Sequence, residues 1–242
     1  MKILILSDIH ANWYALEAIL TKETYDSLIF LGDAVDFGPN PRKCIRFLMN
    51  SYKGDFWGVR GDHDHAMAYG IGCGCSTELN TLSTVTRDWG ESLLASEEVG
   101  FLRRLPLDNK FTINGLSFYL VHDPLRQKAY RETNSDKVLD LEFEDEFDFV
   151  LVGHSHKPFI KRLRSTTVLN PGSVGQPMDF NPRASYAVIE NGEATIKRIK
   201  YDIERTVRDL EKSPLPKDAI RSLVSILVVG GVIDERQYLN PS

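Results

Sequence analysis

Three short, mostly apolar runs near the start of the chain each stop on a carboxylate, and this pattern constrains the fold more than any other feature. Residues 3–6 lead into Ser7-Asp8, residues 27–31 into Gly32-Asp33, and residues 56–59 into Arg60-Gly61-Asp62. Apolar, partly β-branched runs of this length read as buried strands. Between the first two, Asn12 can cap a helix with apolar positions Trp13, Leu16, Ile19 and Leu20 at helical spacing. Between the second and third, Pro39 and Pro41 open another helix through Cys44, Ile45, Phe47 and Leu48. Strand–loop–helix repeated in this way predicts an α/β fold with a parallel layer. In such sheets ligands bind beyond the carboxyl ends of the strands, where Asp8, Asp33 and Asp62 lie.

Residues 66–106 read as mostly helical, entered through a loop loosened by Gly70, Gly72 and Gly74. From Lys110 the pattern turns to strands at 111–113, 116–121, 149–152, 160–163, 167–169, 184–189 and 194–199, with Asn114-Gly115 and Asn191-Gly192 as turns. Helices are predicted over 203–211 and 216–228. No repeat or linker divides the chain, so residues 1–242 are expected to form one domain, with a core of about 1–200 and a helical extension over 201–242. The acidic cluster Glu142, Glu144, Asp145, Glu146 and Asp148 reads as a solvated rim before a buried strand.

The net charge of −5 argues against a general binder of long nucleic acid, which would carry excess Lys and Arg. It leaves room for a small phosphate-bearing substrate, because metal ions can supply positive charge locally. Three cysteines, Cys44, Cys73 and Cys75, make no disulfide framework and suit a reduced, cytoplasmic protein. Cys73-Gly74-Cys75 has no second cysteine pair to complete a tetrahedral metal site and reads as plain thiols in a Gly-rich loop. Residues 223–233 are the most apolar late stretch. Ser225, Gly230 and Gly231 interrupt it well short of the roughly 20 residues that span a bilayer.

The six histidines are not scattered. His10 stands two residues after Asp8, and His63 follows Asp62 directly. His122 ends the strand at 116–121, and His154 and His156 bracket Ser155 just past the strand at 149–152. In an extended segment residues two apart point the same way, which would let Asp8 and His10 meet one ion. Gly32, Gly61 and Gly153 each precede a candidate ligand, where a missing side chain permits a tight turn. Neutral imidazole mixed with carboxylate suits first-row transition ions better than Ca²⁺ or Mg²⁺.

These segments resemble the calcineurin-like metallophosphoesterases. The match comprises Asp8-Ile9-His10, Gly32-Asp33 through Gly38, Gly61-Asp62-His63-Asp64, His122, and Gly153-His154-Ser155-His156. Gly38-Pro39-Asn40-Pro41, Asn170 through Pro177 and Asn181 through Tyr186 are similar to its compact prokaryotic branch, often described as phosphodiesterase or diadenosine-tetraphosphatase-like. The resemblance covers residues 1 to about 200. It implies a four-layer αββα sandwich of two mixed sheets, with a dinuclear metal site at the sheet edge. By the same resemblance Asp8, His10 and His156 would hold one ion, Asp33 would bridge, and Asp62, His122 and His154 would hold the other. The cofactors implied are two divalent transition ions, Mn or Fe before Zn or Ni. His63 would act as general acid or charge stabiliser beside the phosphate, oriented by Asp64. Two ions about 4 Å apart lower the pKa of a shared water, whose hydroxide attacks phosphorus in line. Nothing here matches the phosphate loop GxxxxGK[ST].

Two positions depart from the family pattern: Asp62 stands where Asn is usual, and Asp123 follows His122 where Gly is usual. An ionised Asp62 would bring the charge of the centre to neutral, which predicts tight metal retention, tolerance of trivalent iron and slow turnover on simple diesters. The alternative is that Asp62 points into a hydrogen bond away from the ions. Asp36 could border the pocket, though capping the following turn is favoured. Lys161-Arg162-Leu163-Arg164 reads as a solvated strand face, and Phe56, Trp57, Trp13 and Tyr14 as packing residues, the last two near enough to line the cleft. The leading function is hydrolysis of phosphodiester or phosphomonoester bonds in small or nucleotide-like substrates. An inactive scaffold of the same fold, as in the retromer subunit, and a nuclease are the alternatives.

Overall fold

The computed structural model describes residues 1–74, 77–123 and 147–232. In chain order its first half comprises β1 (Lys2–Leu6), α1 (Trp13–Lys22), β2 (Ser27–Phe30), α2 (Pro41–Ser51), β3 (Phe56–Gly58), α3 (Asp62–Tyr69), α4 (Thr77–Leu93) and α5 (Ser96–Arg104). The second half comprises β4 (Asp108–Ile113), β5 (Leu116–Val121), β6 (Phe149–Val152), β7 (Phe159–Leu163), β8 (Thr166–Asn170), β9 (Ala184–Glu190), β10 (Glu193–Ile199), α6 (Ile203–Glu211) and α7 (Lys217–Val229). They build two five-stranded sheets, ordered β10-β9-β1-β2-β3 and β4-β5-β6-β8-β7. Both are mixed: β1, β2 and β3 run parallel while β9 and β10 pair antiparallel, and β5, β6 and β8 run parallel between antiparallel β4 and β7.

Strand β1 shows why two sheets and flanking helices form. It is buried on both faces, and alternation sends Ile3 and Ile5 one way and Leu4 and Leu6 the other. Ile3 and Ile5 meet Phe118, Leu120, Leu151 and Leu169 of the second sheet, which makes the layer between the sheets. Leu4 and Leu6 meet Ala15, Leu16 and Ile19 of α1. Each such side chain contributes about 1.5–3 kcal/mol when fully buried. Helix α1 starts where the sequence places it, with Asn12 Oδ1 accepting from the Ala15 amide at 3.2 Å.

The strands and helices predicted from the pattern all form, with small shifts at their ends. Strand β4 starts at Asp108 rather than 111, because Asp108 pairs with Val121 and extends the ladder. Helices α6 and α7 are tied into the molecule. Leu210, Leu215, Leu223 and Leu227 cluster with Phe37 of the loop after β2 and with Trp89 of α4. Thr206 Oγ1 donates to Asn12 Oδ1 at 3.0 Å. Among the described residues no helix is long and apolar enough to cross a membrane. Of the predicted acidic cluster, Glu142, Glu144, Asp145 and Glu146 lie outside the described residues, while Asp148 accepts from the Ser117 amide at 2.8 Å.

Candidate active site

The loops at the carboxyl ends of β1, β2, β5 and β6 meet at one edge of the two sheets, and their backbone is unusual. Asp8 (φ 51°), His10 (44°), Asp33 (61°), His154 (64°) and His156 (56°) all adopt left-handed conformations. Such residues cost roughly 1–3 kcal/mol each and cluster where function over-determines the backbone. The extended geometry expected for the Asp8–His10 pair is therefore not what brings them together. A left-handed turn at each residue does so. Glycines let the loops press close: a Cβ on Gly61 would stand 2.0 Å from Asp33 Oδ1, and one on Gly153 would stand 2.4 Å from Ser7 Oγ.

The imidazoles are oriented by backbone carbonyls. His10 Nδ1 donates to Val35 O (2.9 Å), His122 Nδ1 to Leu31 O (2.6 Å) and His156 Nδ1 to Gln176 O (2.5 Å). A carbonyl only accepts, so each of these rings carries a proton on Nδ1 and, in its neutral form, presents a lone pair at Nε2. Those lone pairs face one another and face carboxylates. His10 Nε2 lies 3.1 Å from His156 Nε2, which lies 3.3 Å from Asp8 Oδ1. His122 Nε2 lies 3.1 Å from both Asp33 Oδ2 and Asp62 Oδ1, and His154 Nδ1 lies 3.0 Å from the same Asp62 oxygen. Buried Asp33 Oδ2 accepts no hydrogen bond among the described residues and sits between His122 and His10, 3.9 Å from the latter. Imidazole lone pairs and carboxylate oxygens that converge in this way repel unless a proton or a metal cation stands between them.

Donor atoms within 4.8 Å of one another include those of Asp8, His10 and His156, of Asp62, His122 and His154, and of Asp8, Asp33 and His122, and two further groups take in His63, one with His10 and Asp33 and one with Asp62 and Cys73. The site calls electrostatically for positive charge. Burial opposes charge on His122, but Asp33, Asp62 and Asp8 overcome it and hold the pKa well above the ordinary value. Asp62 is held well below its usual range, where burial is outweighed by His63, His122 and His154. His10 moves the other way, pushed down by burial and then by His156 and His63. The residues present fit a bound transition ion in donor type, burial and orientation.

His63 is placed by a residue other than the one expected. Its Nδ1 donates to Asp36 Oδ2 at 2.7 Å, and Ser83 Oγ donates to the same oxygen at 2.8 Å. Asp64 accepts instead from the backbone amides of Asp33 (2.8 Å), Ala34 (2.8 Å) and Gly61 (3.2 Å), so it braces two loops against each other. Burial and the Asp33 charge push the Asp64 pKa up to about 7, against those amides. Asp36 thus neither caps a turn nor merely borders a pocket. The sequence hint for it was its place three residues after Asp33. Burial disfavours charge on His63, but Asp33, Asp62 and Asp36 raise its pKa to about 10.

Other expected residues fall around this edge or away from it. Asp123 is buried, with Oδ2 3.7 Å from His154 Nε2. Cys73 is buried beside Asp62 and His63, and it is disulfide-bonded where a plain thiol was expected. Its short Gly-flanked loop lets the sulfur approach α3, and Cys75 lies outside the described residues. Trp13 and Tyr14 do not line the site. Trp13 Nε1 donates to Glu17, and the Tyr14 hydroxyl donates to Asp209 at 2.7 Å. The basic run is strand β7 and its end, alternating in exposure as a solvated face does.

The profile of the Calcineurin-like phosphoesterase superfamily domain matches residues 1–193. An uncharacterised protein of Methanocaldococcus jannaschii is 28% identical over 236 residues, covering 89% of this chain and 94% of that protein. A metallophosphoesterase from Sphaerobacter thermophilus superposes with a TM-score of 0.78 at 30% identity, covering 95% of this chain and 99% of the other. A hypothetical protein from Pyrococcus horikoshii OT3 shares the fold with a TM-score of 0.74 at 20% identity, covering 96% and 99%. With this edge of imidazoles and carboxylates set on two mixed sheets, the chain belongs to the calcineurin-like phosphoesterase superfamily and is a metal-dependent phosphoric ester hydrolase.

Proposed function

We propose that the chain hydrolyses phosphodiester or phosphomonoester bonds of small, nucleotide-like substrates at a pair of divalent ions. Asp8, His10 and His156 would hold one ion, Asp62, His122 and His154 the other, with Asp33 shared between them. The observation that carries this reading is the convergence of ligand atoms: three rings fixed by carbonyls turn their Nε2 atoms on each other and on carboxylate oxygens, and among these buried Asp33 Oδ2 accepts no hydrogen bond from the described residues. Mn or Fe suits this mixed nitrogen and oxygen set best, with Zn or Ni as substitutes.

Ions so held supply a nucleophile from water at neutral pH and offset charge that builds on the phosphoryl oxygens. The chain's own residues do the rest. Asp64 holds the loops that carry Asp33 and Asp62 in register. Asp36 fixes the His63 ring and favours its charged form, which leaves a proton at Nε2 to give to the departing oxygen, a role generally worth about 10²–10⁴-fold. Asp62, as a carboxylate, adds negative charge that strengthens cation binding and weakens attraction for an anionic substrate. Left-handed turns at the ligand residues hold the donors in place before any substrate arrives.

The test is hydrolysis of bis(p-nitrophenyl) phosphate and p-nitrophenyl phosphate by protein stripped with a chelator and reloaded with Mn²⁺, Fe²⁺, Zn²⁺ or Ni²⁺. Activity restored by at least one ion is expected. No turnover of either ester with any ion, while the protein binds metal, would favour the scaffold reading.

A further inference from the structure

Helix α4 turns a polar face inward. Ser83, Thr86 and Arg87 stand at spacings i, i+3 and i+4, so they share one side of the helix, and they are only 0%, 2% and 9% exposed. A buried polar face is informative, because each group on it needs a partner. The partners lie in the turn after β2, at Asp36 and Phe37, where the backbone is left-handed at both residues (φ 65° and 62°). Thr86 Oγ1 accepts from the Phe37 amide at 3.0 Å. Ser83 Oγ, which donates to Asp36 Oδ2, lies 3.3 Å from His63 Nδ1 and accepts from Arg87 Nη1 at 3.4 Å. Arg87 Nη1 itself stands 3.8 Å from Asp36 Oδ2.

Asp36 is buried, and its Oδ1 accepts no hydrogen bond among the described residues, so its charge is answered at Oδ2. His63 meets that oxygen from one side and α4 from the other. With Nδ1 held there, Nε2 of the ring faces the edge of imidazoles and carboxylates, 3.8 Å from Asp62 Oδ2. The Phe37 ring, whose backbone Thr86 anchors, stands edge-on to His63 at 5.0 Å and limits the room in which the imidazole can turn. We propose that Ser83 and Arg87 are positioning residues for ester hydrolysis: they fix the Asp36 carboxylate, and through it the direction in which His63 Nε2 points. A neutral imidazole does not answer the charge of a buried carboxylate, whereas a guanidinium stays charged throughout. Arg87 therefore holds Asp36 in place even as His63 gives up its proton. This assignment rests on the phosphoesterase reading for the step that His63 performs.

The experiment compares Ser83→Ala, Arg87→Met and Arg87→Lys with the native protein, each loaded with metal, on aryl phosphodiesters and aryl phosphates whose leaving groups run from p-nitrophenol to phenol. Phenol needs a proton as it departs, whereas p-nitrophenol leaves readily as the anion. A ring that points less accurately should lower kcat about tenfold or more for the phenyl ester but only about twofold for the p-nitrophenyl ester, with KM and metal content little changed. Arg87→Lys should recover most of that loss. Proton NMR of the Zn²⁺-loaded protein gives a readout that needs no turnover. The His63 Nδ1–H resonance, assigned by its absence in His63→Gln, should shift or broaden in Ser83→Ala and Arg87→Met as the bond to Asp36 loosens. Circular dichroism shows whether each variant folds, and if Arg87→Met does not, Ser83→Ala, which removes a single oxygen, decides alone. A loss of kcat equal across the leaving groups, or an unmoved resonance, would overturn the proposal even if the native protein hydrolyses esters. If the resonance moves but the native protein hydrolyses no ester with any metal, the phosphoesterase reading fails while the anchoring of His63 by α4 stands.

Discussion

The layer between the two sheets and the ring of loops at their edge obey opposite physics within a few ångströms of each other. Between the sheets, Ile3, Ile5, Phe118, Leu151 and Leu169 sit in regular strands, so conformation and burial favour the same state. At the edge, Asp8, His10, Asp33, His154 and His156 hold left-handed backbone, and buried carboxylates crowd lone pairs. The edge is destabilised locally, and the sheets beneath supply the rigidity that keeps it so. A region built for stability tolerates loss of a side chain as loss of free energy. A region built for chemistry registers the loss in rate or metal affinity.

His63→Ala should sharpen this contrast most. A fall in kcat of about 10²–10⁴-fold on a diester with a poor leaving group is expected, with metal content retained. Stopped-flow or end-point kinetics on leaving groups of graded pKa checks it, and a loss that does not depend on the leaving group would remove His63 as the acid. On the stability side, Ile5→Ala should cost about 2–5 kcal/mol in urea unfolding while leaving metal stoichiometry unchanged. Equal loss of metal and stability in that variant would blur the division between the two regions.

Asp36→Asn is expected to be milder, about 10–100-fold in rate, because it removes the charge that orients His63 without removing the ring. The rate–pH profile should shift with it, since the carboxylate that favours protonated His63 is gone. A loss of rate with an unchanged profile would make Asp36 a packing residue only. The smallest effect concerns a paired carboxylate far from the edge. Burial of Glu23 raises its pKa, but Lys197, Lys2 and Tyr186 outweigh that and lower it to about 2 from 4.5. A depressed folded pKa means stability that is present above about pH 4.5 and lost as pH falls toward 2. Glu23→Gln should flatten the acid limb of the melting-temperature curve, and an unaltered limb would show that Glu23 contributes nothing there.

Much of this was legible in the sequence, and what was not has physical causes. Strands ending on Asp8 and Asp33 and histidines at strand ends are local patterns, and the folded chain brings those residues to one edge. Sheet order was beyond local reading, because β9 joins β1 from the far end of the chain, with Ile3 opposite Ile189, through pairings that only the tertiary fold decides. The Asp8–His10 spacing pointed to convergence but to the wrong backbone, since alternation assumes an extended strand and the residues turn left-handed. His63 was read with its sequence neighbour Asp64, whereas its partner Asp36 stands 27 residues away. A contact across that separation leaves no periodic trace. Arg60 read only as a strand-end residue, and its contacts with Tyr69 and the Arg103 carbonyl appear only in the fold.

The most direct measurement is elemental analysis of purified protein beside Asp33→Ala, each equilibrated with Mn²⁺ and then dialysed. The lone-pair geometry of the edge predicts about two ions per chain in the native protein, with loss of at least one when the shared carboxylate is removed. Native protein that retains no ion, or a variant that keeps the full complement, would contradict it.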